Sequence, residues 1–175
     1  MESNLQSGGI SLPKRKIAIM GVGNTLHKDE GVGIHIIRAL EKVKRRYDPL
    51  KDVELIDGGT GGLLLLKLIE DFDTVFIVDA VLAGGKPGDI YILSPEQISK
   101  SPDSQRMFSA HDIDLTYTLQ VGKELGMKTE VIIIGIEPKE YSSHGLNLSE
   151  EVSNKITDII KTIVSEVKKL KMKLK

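Results

Sequence analysis

The sequence predicts an α/β fold, a three-layer α/β/α sandwich on a mainly parallel, twisted sheet with one antiparallel strand. Three observations predict it. Short continuous apolar runs alternate with amphipathic helical stripes, the first run enters a helix through a glycine turn, and one pair of runs is joined by a tight turn with no helix between. Strands that alternate with helices pair in parallel through right-handed crossovers, which cover both faces of the sheet. Residues 15–168 are expected to form a single domain, since there is no internal repeat and no shift of composition within them. The polar, glycine-containing residues 1–14 read as a disordered leader or an expression remnant, and 169–175 as a lysine-rich tail.

Ile17-Ala18-Ile19-Met20 is too short and continuous for a surface helix and reads as a strand buried on both faces. The segment from Gly21 to Gly33 then turns through glycines into a helix carrying the stripe Ile34, Ile36, Ile37, Leu40 and Val43. Asp29 is expected to cap that helix, which places Glu30 where the helix dipole favours a carboxylate. Val53–Asp57 is the second strand, stopped by Gly58-Gly59 and followed by a short helix from about Gly61 to Glu70. Thr74–Val78 is the clearest strand and ends at Asp79-Ala80; after the turn Gly84–Gly88, Asp89–Leu93 returns antiparallel.

The polar segment 94–110, with Pro95 and Pro102, reads as a loop with a short helical piece. From His111 the stripe Leu115, Leu119, Gly122 and Leu125 marks a helix ended by Gly126. Val131–Ile136 is a buried strand and 137–148 a loop. Ser149, with Glu150 and Glu151, opens a last helix striped by Val152, Ile156, Ile159, Ile160, Ile163 and Val167.

Composition removes several classes of function. At 175 residues, with 40% hydrophobic and 28% charged, the chain is long enough to bury a core without staples. A net charge of -1 gives no electrostatic reason to expect nucleic acid or an anionic membrane as partner. The absence of cysteine excludes disulfides, thiolate nucleophiles, iron–sulfur ligation and cysteine zinc sites. No apolar run is long enough to insert in a membrane, and Met1–Gly9 lacks the features of a signal peptide, so a cytoplasmic location is expected.

The glycine turn fails two familiar templates. Leu26 stands where a dinucleotide fingerprint needs its third glycine, and no Gly-Lys-Ser/Thr closes a P-loop. Two acids at the helix entrance repel pyrophosphate and attract a cation. In an open parallel sheet ligands bind beyond the carboxyl ends of the strands, and three ionisable residues meet that rule: Glu30, Asp79 and His111. Two carboxylates and an imidazole suit a divalent transition metal, zinc, nickel or copper among them. Each also has an ordinary reading: Glu30 as a dipole-satisfying acid, Asp79 as a paired strand end, His111 as a surface residue. Asp57 can stabilise a turn, His27 can shade the site, His35 reads as structural and His144 as a contact for a bound partner.

At these residues the chain resembles the hydrogenase maturation proteases, which remove a C-terminal peptide from the large subunit of nickel–iron hydrogenases. The resemblance rests on Gly21-Val22-Gly23-Asn24 with Asp29-Glu30-Gly31-Val32-Gly33, on Asp57-Gly58-Gly59-Thr60-Gly61-Gly62, on Val78-Asp79-Ala80 and on Ser109-Ala110-His111-Asp112, in that order from about Lys16 to Val164. It implies that Glu30, Asp79 and His111 contact nickel supplied by the substrate, the precursor of the large subunit, and that they serve catalysis. The family has been viewed both as metal-dependent and as aspartic-type, so that either nickel polarises the scissile carbonyl or activates water, or Asp79 or Glu30 is a general base. The loop around Tyr141–Leu148 matches the family only loosely and is a candidate for selecting the hydrogenase. The rival readings are a non-catalytic nickel-binding maturation chaperone and a nucleotide-binding oxidoreductase.

Overall fold

The computed structural model describes residues 15–99 and 113–174. Strand β1 (Ile17–Gly21) leads through a 3-10 turn (Lys28–Gly31) into helix α1 (Val32–Val43). There follow β2 (Val53–Asp57), α2 (Leu64–Ile69), β3 (Thr74–Ala80), β4 (Ile90–Leu93) and α3 (Pro95–Ser99). The chain continues with α4 (Ile113–Glu124), β5 (Glu130–Ile136), α5 (Glu150–Ser153) and α6 (Ile156–Lys173). The sheet order is β2-β1-β3-β5-β4, parallel throughout except for the antiparallel pair β4 and β5. The expected architecture, including its one reversed strand, is therefore the observed one. Among the described residues no helix is long and apolar enough to cross a membrane.

The apolar runs of β1 and β3 are wholly buried because both faces are covered. On one face, Val32, Ile36, Ile37 and Leu40 of α1 meet Ile159, Ile160, Ile163 and Val167 of α6 over Ile19, Phe76 and Ile134. On the other, Leu65 and Ile69 of α2 and Leu115 and Leu119 of α4 pack on Met20, Ile77 and Ile133.

Four local expectations need correction. Asp29 does not cap α1: its side chain makes no cap bond there and is spent on a distant loop. Helix α2 starts at Leu64 rather than near Gly61, because Gly61 and Gly62 sit at φ +89° and +85°, where a right-handed helix cannot propagate. Leu125 is not part of the buried stripe but 78% exposed. Gly126, at φ +85°, closes a Schellman turn in which the Met127 amide donates to the Gly122 carbonyl (2.9 Å) and the Gly126 amide to Lys123 (3.0 Å). That turn folds Met127 back onto the core in place of Leu125. Finally, Ser149 caps the short α5, accepting from the Val152 amide, and the long stripe begins anew in α6 after Asn154 and Lys155.

Candidate functional site

The strand order reverses direction between β1 and β3, and beyond the carboxyl ends of strands at such a reversal open α/β sheets bind their ligands. Three backbone hydrogen bonds join the strand exits there. The Val22 amide donates to Val78 (2.9 Å), Gly58 to Gly21 (2.8 Å) and Gly23 to Gly59 (2.9 Å). The start of α1 presses onto the same point: a Cβ on Gly33 would lie 2.2 Å from the Val78 carbonyl oxygen. Gly23, at φ +133°, lets the chain pass the Glu30 carbonyl oxygen, which a Cβ would meet at 1.9 Å. The glycine pattern is thus a requirement for backbone contact, and it places the turn bearing Glu30 against the end of β3.

Glu30 is 4% exposed and Asp79 2% exposed, both at this end of the sheet. Asp79 Oδ1 accepts from the Ala80 amide (2.8 Å). His27 Nδ1 lies 3.1 Å from Glu30 Oε2, and the His27 ring meets His144 edge-on, with centroids 4.7 Å apart. The sequence expectations for His27 and His144 are joined by this contact into one feature beside Glu30. Asp57 is exposed and its Oδ1 accepts from the Gly59 amide (3.0 Å), which is a turn-stabilising role. His111 lies outside the described residues. Among the described residues no group of three or more His, Asp or Glu is placed to hold a metal ion. What those residues supply is two buried carboxylates, hard anionic donors that suit a cation.

Two further buried carboxylates brace the loops around this sheet end, and sequence reading missed both roles. Asp29 is fully buried and accepts four hydrogen bonds: Oδ2 from the Lys139 amide (3.0 Å), the Glu140 amide (2.9 Å) and Ser149 Oγ (2.7 Å), and Oδ1 from the Ser149 amide (2.7 Å). Around it, the Asp29 amide donates to the Glu140 carbonyl (2.9 Å), Lys28 Nζ pairs with Glu140, and Lys28 and Leu26 exchange backbone bonds with Gly145. The loop after β5 is thereby fastened to the turn that carries Glu30. Glu137, also buried, accepts from the amides of Ala83 (2.9 Å), Gly84 (3.3 Å) and Gly85 (3.2 Å) and from the Tyr91 hydroxyl (2.9 Å). It shapes the loop that follows Asp79. The signal for Glu137 was the one that singled out Asp79, an acid ending a very apolar strand.

Two titrations follow from this packing. Burial, reinforced by the hydrogen bond and charge of Glu137, pushes the Tyr91 phenol up to about 12. Glu137→Gln is expected to return it toward its ordinary value of 10.0, read as tyrosinate absorbance in an alkaline titration. His35, half-buried on α1, is held below its ordinary 6.5 by burial first and by Arg38 second. The unfolded chain binds this proton more readily, so its contribution to stability is present above pH 6.5 and is lost as pH falls through 6.5 toward the folded value. Urea titrations of His35→Gln are expected to show a shallower loss of stability over that window.

A family model described as hydrogenase maturation protease matches residues 37–166. The hydrogenase expression/formation protein HupD of Bradyrhizobium diazoefficiens is 30% identical over 146 residues, covering 83% of this chain and 74% of that protein. Among solved structures, the hydrogenase maturating endopeptidase HybD from E. coli superposes with a TM-score of 0.72 at 28% identity, over 88% of this chain and 93% of that one. The [NiFe] hydrogenase maturation protease HybD from Thermococcus kodakarensis gives 0.67 at 27% identity, over 89% and 98%.

Proposed function

The chain belongs to the hydrogenase maturation protease family, and from that premise we propose that it removes the C-terminal extension of a nickel–iron hydrogenase large-subunit precursor after nickel insertion. The family activity is endopeptidase processing of the hydrogenase large subunit, which sets aside the reading as a nucleotide-binding oxidoreductase. The observation that carries the finer reading is the placement of two buried carboxylates, Glu30 and Asp79, at the strand-order reversal between β1 and β3.

In this reading Glu30, Asp79 and His111 contact the nickel, which belongs to the substrate. A cysteine-free set of oxygen and nitrogen donors touches such an ion without extracting it from a thiolate-rich site, so recognition and release are compatible. His27 positions Glu30 from the side at 3.1 Å, and Asp79 is fixed by the Ala80 amide. Peptide hydrolysis then proceeds with the nickel polarising the scissile carbonyl or activating water, or with Asp79 or Glu30 as general base toward the attacking water. A non-catalytic nickel chaperone would use the same contacts but release no peptide.

The test is His111→Ala with nickel-loaded precursor, read by mass measurement of the released peptide. A loss of at least about a hundredfold in rate, with an unchanged far-UV spectrum, is expected. Full processing by this variant contradicts the assignment of His111.

A further inference from the structure

We infer that the outer edge of β2, with the exposed leucines of α2 beside it, is the docking groove for an extended segment of the precursor's C-terminal region, which adds as a strand. The inference rests on the proposed function for the identity of the partner and on three separate observations for the surface.

First, β2 stands at the edge of the sheet, and among the described residues no strand pairs with its outer side. A row of backbone N–H and C=O groups there is a template for strand addition. Second, α2 is six residues long, yet Leu64 is 79% exposed and Leu68 42%, with Leu63 before the helix at 56%. Leu64 and Leu68 are four apart and share one helix face, so they form a short apolar ridge. Leucines in such a cluster on so short a helix mark a contact surface. Third, a groove of about 480 Å³ lies beside the strand, where Ile56, Leu68 and Phe72 stand among two lysines (Lys16, Lys67) and three acids (Asp52, Glu54, Asp71).

The strand pleat joins the strand edge to the groove. Val53 and Leu55 turn toward the cluster with α1 and α6, whereas Glu54 and Ile56 turn toward α2 and the groove. A chain added along β2 would therefore send alternate side chains into a groove whose lining mixes apolar residues with lysines and acids. Backbone bonds supply affinity in this mode, and the pocket for alternate side chains supplies selectivity.

Two features favour the precursor over a second copy of this chain. Self-pairing of β2 would bring Glu54 and Asp57 of two copies into one ladder, where like charges are unfavourable. The carboxyl end of β2 is also joined to the glycine turn that carries Glu30, since Gly58 and Gly59 bond directly to Gly21 and Gly23. A segment held on β2 therefore leaves it at the sheet end that carries Glu30 and Asp79.

The experiment has two arms on the full chain. In the first, hydrogen exchange is followed in Asp79→Asn protein mixed with nickel-loaded precursor, which that variant holds uncut. The amides of Val53–Asp57 that face away from β1 are expected to gain protection. In the second, Leu64→Ser/Leu68→Ser, whose changes lie on the surface, is expected to raise KM for the precursor about tenfold with kcat within about twofold and an unshifted melting temperature. Unchanged KM with no gain in protection overturns the inference and leaves the proposed function standing. So does protection already complete in the protein alone, or protection that rises with its own concentration, since either assigns the edge to this chain. Failure of the unmodified protein to cut the precursor would instead overturn the function itself.

Discussion

Asp79→Asn is expected to slow release of the C-terminal peptide from nickel-loaded precursor by at least about a hundredfold while leaving the protein folded. The side chain is 2% exposed at the end of a fully buried strand, and its Oδ1 accepts from the Ala80 amide. Asparagine has the same shape and keeps an oxygen for that bond, so the backbone between Val78 and the loop shaped by Glu137 has no reason to move. What disappears is the negative charge. A neutral amide is a weaker donor to a divalent ion and cannot take a proton from water, so the loss is expected under either chemistry considered for this site. Rates from mass spectrometry, set beside the melting temperature of the variant, check both halves of the expectation.

Asp29→Ala is expected to be the most destabilising single change near the site, lowering stability by about 3–5 kcal/mol. Three amides, those of Lys139, Glu140 and Ser149, and the Ser149 hydroxyl would lose a shared acceptor in a fully buried position. Each unsatisfied buried donor costs about 1–3 kcal/mol, partly relieved where water enters. For a domain of this size the corresponding fall in melting temperature is about 6–20 °C. Activity should fall as well, because the loop after β5 carries His144 and Gly145, which hold His27 and Lys28 around Glu30. Thermal unfolding followed by circular dichroism measures the first effect. A melting temperature within about 2 °C of the unmodified protein would contradict the role given to Asp29.

These two residues also mark how far the sequence was legible. The strands could be read because a parallel sheet covered on both faces demands continuous runs of apolar residues, and Ile17–Met20, Thr74–Val78 and Val131–Ile136 are such runs. Ser149 could be read because a cap acts on a backbone amide only three residues away. Asp29 could not. Its partners lie 110 to 120 residues along the chain, so beside a helix start it looks like any local cap. Leu125 failed for a different reason: Gly126 ends the helix as expected, but the turn it closes leaves Leu125 exposed and folds Met127 onto the core instead.

For the candidate site, the position of Glu30 and Asp79 was legible from a topological rule about the carboxyl ends of parallel strands, and the sheet places both at that end. Glu137 shared the signal that marked Asp79 but had no motif to draw attention to it. Its partners, the amides of 83–85, become visible only when β5 lies beside β3.

The most direct test of the account compares nickel-loaded with nickel-free precursor, each incubated with the purified protein and followed by the mass of the large subunit and of the released peptide. Glu30, Asp79 and His111 as contacts for nickel in the substrate predict that only the loaded precursor is shortened. Equal shortening of the nickel-free precursor would contradict that claim, and would leave these residues a role in peptide cleavage alone.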